Sequence, residues 1–300
     1  MQMIRAWNAA ATALAVLIGA LPAAGQGDPP RVLAFVESLD GSEETELRWP
    51  VAVAAASAEE VAVADISGPR LMRFRKVGVS WQLDGSAPMP GAPVALVWDG
   101  ARYVASMRQG KGLVAFEGAE LAQRRLPLPR GVVPGALAVY PTGELLVFDY
   151  AGGRALRLSR GGAPPELEVA IGERVTALAA DSAGGFFAAV PGSAAVLHFD
   201  ATGALAATWP LAPFEGVPAW PVGLAVEPGG DVLVVDRHGS RLLVIDARGE
   251  WVGLGSRDGW EPGLLRYPAG IARLPDGQVL VADQGNGRAQ VFRRTDRSGP

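Results

Sequence analysis

YPAGIARLPDGQVLVADQGNGRAQVF, at residues 267–292, contains three short apolar runs separated by two tight-turn signals. Asp276-Gly277 and the QGNG segment at 284–287 supply the positive backbone φ angles that hairpin turns require. The apolar runs have the length and the flanking residues of buried strands. The stretch therefore predicts a three-stranded antiparallel meander. Such a meander needs neighbouring sheets, because alone it cannot bury both of its faces.

Copies of this stretch recur along the chain. The best copies are at residues 220–245, 134–158 and 49–74. In each of them, as in the stretch itself, an aspartate that ends the second strand precedes an arginine by five residues. The four pairs are Asp65 with Arg70, Asp149 with Arg154, Asp236 with Arg241, and Asp283 with Arg288.

Two weaker copies fill the gaps between the clear ones. In the first, Ser106 and Lys111 stand at the aspartate and arginine positions, and in the second Val190 and Ala195 stand there. The six copies follow each other at intervals of about 40 to 50 residues, which is the period of propeller blades with four strands each. The spacing thus predicts an all-β propeller of six blades.

The repeated pattern is Pro-x-Gly-(Ile/Leu)-Ala, then Asp-Gly or Gly-Gly, then Val-x-Val-Ala-Asp, then Arg-x-x-x-Phe. It resembles the NHL repeat, most clearly at residues 268–292 and well at 221–245. The resemblance implies a six-bladed β-propeller of four-stranded antiparallel blades. It leaves the activity open, because NHL-type propellers serve as binding platforms, as scaffolds and in a few cases as enzymes.

One strand has no blade of its own. Residues 31–38, RVLAFVES, precede the first copy, while the last copy has only three strands. We predict that this N-terminal strand becomes the outer strand of the last blade and closes the ring. The outer strands of the other blades are predicted near residues 79–83, 121–126, 166–171, 205–209 and 251–254.

The first 25 residues predict a cleaved signal peptide. Arg5 supplies a positive charge, residues 9–20 are apolar, and small residues at 23–25 follow Pro22. The apolar stretch is shorter than the roughly 20 residues that a membrane span needs, so cleavage is favoured over retention as an anchor. Residues 26–30 are then a linker and residues 31–300 the propeller. We expect a periplasmic or secreted product without a membrane span after signal cleavage.

The composition excludes several kinds of site. The chain has no cysteine, which excludes disulfides, thiolate metal sites and a lipid anchor on a modified cysteine. Its net charge is −4 and it has no basic stripe, which argues against nucleic acid as a partner.

Candidate catalytic and metal-binding residues are few. His198 and His238 are the two histidines, and neither has a second histidine at metal-ligand spacing. We expect His198 to face solvent. The innermost strands are apolar, which predicts a packed channel without a metal or another cofactor. The four Asp/Arg pairs are expected to stabilise their turns, because a pair repeated in four blades is not a unique site.

The most distinctive feature is aromatic. Trp49, Trp220 and Tyr267 share one repeat position, directly before a proline, and long loops lead to them. In a propeller these loops lie on the same face as the Asp/Arg turns, and binding sites are often built on such loops. The predicted ligand-binding residues on this face are Trp49, Trp220, Trp260, Tyr267, Arg48 and Arg266. Packing between blades is the alternative role of each aromatic residue.

These observations favour an exported, non-enzymatic binding or scaffold propeller. Its partner would be a protein or a glycan of the cell envelope, engaged through the aromatic-rimmed face. The alternative is a lactonase- or lyase-type propeller enzyme with a pore-bound cation. Six-bladed lactonases hold such a cation with carboxylates and asparagine, and lyase propellers of the amidating and virginiamycin types rely on histidines.

Overall fold

The computed structural model describes residues 30–40, 46–108, 112–160 and 165–295. In these ranges 24 strands form six four-stranded antiparallel sheets, and one 3₁₀ turn spans Gln284–Asn286. The predicted signal peptide and most of the linker lie outside the described residues. No helix in the described ranges is long and apolar enough to cross a membrane.

The blades follow each other in chain order, and each runs from an innermost to an outermost strand. Blades one to three comprise β2 Pro50–Ala55, β3 Glu60–Asp65, β4 Arg70–Val77 and β5 Ser80–Pro88; β6 Pro93–Trp98, β7 Tyr103–Met107, β8 Gly112–Glu117 and β9 Ala122–Leu126; β10 Pro134–Val139, β11 Leu145–Asp149, β12 Arg154–Leu158 and β13 Leu167–Ala170. Blades four to six comprise β14 Ala177–Ala180, β15 Phe186–Val190, β16 Ala195–Phe199 and β17 Leu205–Pro210; β18 Pro221–Val226, β19 Val232–Asp236, β20 Arg241–Ile245 and β21 Trp251–Ser256; β22 Gly270–Arg273, β23 Val279–Asp283, β24 Arg288–Arg294 and β1 Leu33–Leu39.

The core lies between the blades. Each of six clusters of buried apolar side chains joins two neighbouring blades, and together the clusters run around the whole ring. The second strands are therefore covered on both faces, and every residue of β19 is buried. This explains why these strands are continuous apolar runs and do not alternate between apolar and polar residues.

The N-terminal strand closes the ring as predicted. Strand β1 pairs antiparallel with β24, with Phe35 opposite Phe292. The residues before it add a contact that the sequence did not predict. Val32 N–H donates to Leu254 O at 2.9 Å, and Leu254 N–H donates to Pro30 O at 3.0 Å. The segment thus forms a parallel bridge to the outer strand of blade five and ties two blades together.

The repeat register of blade two needs a correction. Met107 pairs with Gly112, so these residues, and not Ser106 and Lys111, occupy the aspartate and arginine positions. Met107 also pairs with Pro93, as Asp236 pairs with Pro221 in blade five, so the register is set by the strand pairing although no aspartate marks the position in the sequence. Ser106 instead donates its hydroxyl to Gly135 O of blade three at 2.6 Å. Lys111 lies outside the described residues.

The bridge of residues 30–32 should matter for stability. A Cβ atom at Gly253 would lie 2.5 Å from Pro30 O and 2.9 Å from Val32 Cγ1, so Gly253→Ala must push the segment away. We expect a loss of about 1–3 kcal/mol in the free energy of unfolding, measured by urea denaturation. Gly229→Ala is the control, because its Cβ would meet no atom within 4 Å. Equal stability of the two variants would contradict the bridging role.

Candidate ligand-binding face

Buried aspartates organise the face on which the second and third strands of each blade are joined. Asp65, Asp149, Asp236 and Asp283 are at most 1% exposed. Their carboxylates accept N–H groups from the chain that enters the innermost strand of the same blade, as where Trp220 N–H donates to Asp236 at 2.8 Å and Val133 N–H donates to Asp149 at 3.0 Å. Each aspartate therefore fixes the end of an incoming loop against its own turn.

Three of the four predicted Asp/Arg pairs are ion pairs. The nitrogen–oxygen distances are 3.1 Å for Arg154 with Asp149, 2.7 Å for Arg241 with Asp236, and 2.9 Å for Arg288 with Asp283.

Blade one is different, and the expected hydrogen bond between Asp65 and Arg70 is absent. Asp65 accepts the Ser67 hydroxyl at 2.7 Å, and Arg70 donates to Glu46 O at 2.6 Å. Ser67 thus supplies the donor that the arginine supplies in the other three blades.

The arginines also hold the incoming loops. Arg241 donates to Ala212 O at 2.8 Å, within the loop at 211–220. Arg288 donates to Trp260 O at 2.8 Å and to Glu261 O at 2.9 Å, within the loop at 257–269. The carboxylate orients the guanidinium, and the guanidinium binds loop carbonyls that would otherwise lack donors. The long loops are therefore anchored to the rigid blades.

The pKa values of two of the buried aspartates, Asp65 and Asp283, are shifted in opposite directions. Burial raises the pKa of Asp65, but hydrogen bonds from Arg48 N–H, Ser67 and Trp49 N–H outweigh this effect, so its pKa lies below the ordinary value. Burial also raises the pKa of Asp283, and there the hydrogen bonds from Arg266 N–H and its other donors are not sufficient to reverse the shift. The Asp65 carboxylate is thus better compensated than that of Asp283.

The predicted aromatic residues lie exposed on this loop face. Trp49, Trp220, Trp260 and Tyr267 are between 38% and 66% exposed. They belong to blades five, six and one, which are neighbours in the ring, and to the three blades with long incoming loops. The Arg266 guanidinium lies over the Trp260 ring at 4.3 Å, which is a cation–π contact.

A cleft of about 360 Å³ opens between the two long loops and the turn at 237–240. Of the six predicted binding residues, Trp260, Arg266 and Tyr267 line it. The structure adds lining residues that the sequence did not single out as binding residues: Phe214, Glu215, His238 and Asp258.

The other three predicted residues do not line the cleft. Trp220 is joined to it through His238, whose ring stacks on the Trp220 ring at 5.0 Å. Trp49 and Arg48 lie over blade one. Arg48 is mostly exposed, with Glu46 at 3.6 Å. The predicted face is therefore divided into a cleft and a separate exposed tryptophan.

Backbone strain is concentrated at the cleft. Five non-glycine residues in the described ranges have positive φ, and three of them, Glu215, Ser240 and Tyr267, line it, with φ of 49°, 46° and 44°. Such conformations persist only where their surroundings impose them, and they cluster at functional sites. At Ser240 a compensating contact is present, because its hydroxyl accepts the Tyr267 N–H at 3.2 Å.

Ser240 could have been found from the sequence. It stands where blades three and six have Gly153 and Gly287, both with positive φ. Blade four has Ala194 at this position with φ of 48°, so the positive φ belongs to the turn of the repeat, and what distinguishes Ser240 is its hydroxyl. His238 gave no comparable signal, because its partner Trp220 is 18 residues away in the chain.

Other candidate sites lack the cluster of exposed aromatic residues that marks the cleft. A cavity of about 560 Å³ lies beside the turn of blade three, with Tyr150, Glu173 and Arg174 in its lining. Groups of three or more histidine and acidic residues at metal-binding distance are absent from the described ranges. His198 does not face solvent freely as expected. It stacks on Phe187 at 4.2 Å, with Nε2 3.2 Å from Asp181.

The depressed pKa of Asp65 predicts a pH-dependent contribution to stability. The native state favours the ionised form, so this contribution is complete above the unfolded pKa of about 3.9 and is lost as the pH falls through the folded value. We expect Asp65→Asn to lower the free energy of unfolding by about 1–3 kcal/mol at pH 7, and by less at pH 3, which lies below the unfolded pKa. Urea denaturation at both pH values measures the difference, with the exposed Asp40→Asn as control. An equal loss of unfolding free energy at both pH values would contradict this role of the Asp65 charge.

The comparisons with solved structures agree with the fold. A streptogramin B lyase is 14% identical, with a TM-score of 0.61, and the match covers 88% of this chain and 98% of that one. A protein of unknown function from Bacteroides thetaiotaomicron is 15% identical, with a TM-score of 0.65, over 89% and 77% of the two chains. The WD40 propeller domain of Doa1 is 10% identical, with a TM-score of 0.62, over 88% and 97%. At these identities the likeness is one of fold alone.

No curated protein sequence matches the chain. The NHL repeat family model matches residues 265–292, which contain β22, β23 and most of β24 of blade six. This is the part of the chain in which the repeat pattern is clearest. Residues 265–292 thus match an NHL repeat, and the described chain as a whole forms a six-bladed propeller.

Proposed function

We propose that the protein is an exported binding propeller. Its loop face over blades five and six engages a protein or glycan partner of the cell envelope. The observation that carries the proposal is the cleft itself, in which exposed aromatic rings stand on loops that buried Asp/Arg pairs anchor.

The energetics of the exposed rings support this proposal. Burying a large apolar side chain contributes roughly 1.5–3 kcal/mol, and folding leaves 38% of Trp220, 52% of Tyr267 and 66% of Trp260 exposed and without this gain. They lie close together on anchored loops, which distinguishes them from singly exposed apolar residues elsewhere on a surface. A partner that covers them would recover this free energy without first having to order the loops.

The export of the chain is proposed from the signal-like first 25 residues. The relation to a lyase structure is one of fold, and it leaves an enzymatic role as the alternative. If the mature chain is a monomer without a partner, analysis of bound metal and an assay with a panel of lactones come next.

The proposal predicts that capture depends on Trp260, which lines the cleft, and on Trp220, which stacks on the cleft residue His238. The mature chain should be crosslinked gently in a native cell-envelope fraction, and the captured proteins and glycans should be identified. We expect the Trp220→Ala/Trp260→Ala double variant to lose at least 90% of specific capture while it remains folded.

Trp49→Ala is the matched control, because Trp49 has the same repeat position and is exposed, but does not line the cleft. It should retain capture. Undiminished capture by the folded double variant would reject the proposed face.

A further inference from the structure

The cleft between the two long loops contains polar groups of both charge signs that are not paired with each other. Its charged lining residues are Glu215, from the loop at 211–220, and Asp258 and Arg266, from the loop at 257–269. Neither carboxylate has an ion pair or a side-chain hydrogen bond within the described part of the chain. Both acidic residues are exposed, so their oxygen atoms are available as acceptors to a ligand.

Arg266 supplies hydrogen-bond donors to the same cleft. Its guanidinium lies over the Trp260 ring at 4.3 Å, and no ion pair joins it to a carboxylate of the described residues. The ring holds the guanidinium in place and leaves N–H groups free to donate. An anion in the cleft would meet two carboxylates, and a cation would meet the guanidinium. The lining therefore favours a neutral ligand that has both donors and acceptors.

Aromatic rings complete the lining. The ring of Tyr267 is half-exposed and makes no ring or cation–π contact among the described residues. Trp260 is exposed, and Phe214 and His238 add two more rings. A pyranose sugar has an apolar face of C–H groups and an edge of hydroxyl groups. The face can be buried against aromatic rings, and the hydroxyls can donate to carboxylates and accept from a guanidinium.

The unpaired carboxylates favour a sugar over a protein surface as the occupant. A protein that covered Glu215 and Asp258 without suitable donors would leave two unpaired charges out of water, which is costly. The buried centres of protein interfaces are depleted of acidic residues. Every hydroxyl group of a sugar is a donor. The cleft volume of about 360 Å³ lies near the lower end of the range for small-ligand sites, which suits a short glycan segment.

We infer that the cleft binds a short segment of a neutral saccharide. Hydroxyl groups of the sugar donate to Glu215 and Asp258 and accept N–H groups of Arg266. A sugar ring packs against the aromatic rings of Tyr267 and Trp260. The inference rests on the proposed binding function and selects a glycan as its partner.

The first test compares tetrasaccharides of similar size and different chemistry. Four neutral ones (cellotetraose, chitotetraose, xylotetraose and maltotetraose) and the anionic β-1,4-linked tetraglucuronate are titrated into residues 26–300. Binding is followed by calorimetry and by tryptophan fluorescence. We expect at least one neutral tetraose to bind about tenfold more tightly than tetraglucuronate, because Glu215 and Asp258 repel the anion.

Variants test the two carboxylates. We expect Glu215→Ala/Asp258→Ala to weaken binding of that tetraose by about tenfold, because two charge-assisted hydrogen bonds are lost. Glu261→Ala is the matched control, because Glu261 is exposed on the same loop as Asp258 but does not line the cleft. The control should retain the affinity. Asp258→Ala alone, which leaves Glu215 and its positive φ unchanged, should weaken binding by about threefold and keeps the test informative if the double variant does not fold.

The outcomes separate this inference from the proposed function. If no neutral tetraose binds while the tryptophan-dependent capture of a protein persists, the saccharide assignment is wrong and the binding face stands. If tetraglucuronate binds as tightly as the neutral sugars, or if the folded carboxylate variants keep full affinity, the roles of Glu215 and Asp258 are wrong. If the tryptophan variants change neither capture nor sugar binding, the proposed function itself fails.

Discussion

The buried aspartate at the end of the second strand is the interaction on which the loop face depends. A carboxylate that is excluded from water needs several donors. In blades five and six these donors are backbone N–H groups of the incoming loop together with an arginine. Because each arginine also binds carbonyl groups of the same loop, one buried charge fixes the loop at its end and along its length. The blades with this arrangement can carry long ordered loops.

The cleft is a consequence of this anchoring. The loops at 211–220 and 257–269 stand on either side of the turn at 237–240, and the space between them remains open. Tyr267 has positive φ there, and its N–H binds Ser240 of the neighbouring blade, whereas the N–H of Trp220 binds the aspartate of its own blade. The contact between blades thus turns the chain at Tyr267 and helps to define the cleft.

Much of the fold could be predicted from the sequence, because the same pattern of strands and turns recurs in six copies along the chain. The ring closure followed from a surplus strand at one end and a missing strand at the other. The predictions that failed concerned positions at which a single blade departs from the repeat pattern. In blade two no aspartate marks the end of the second strand, which is Met107 and not Ser106, and in blade one Ser67 replaces Arg70 as a donor to Asp65. The exposed aromatic residues were predictable by position, but the cleft joins residues from three separate segments, and His238 could not be assigned to it from sequence spacing.

The central claim is that the partner covers the loop face of blades five and six. Amide hydrogen exchange of residues 26–300, with and without the captured partner, tests it most directly. We predict increased protection at 211–220, 237–240 and 257–269, with little change in the turns between innermost and second strands on the opposite face. Protection that is confined to that opposite face, or to the outer strands, would contradict the claim.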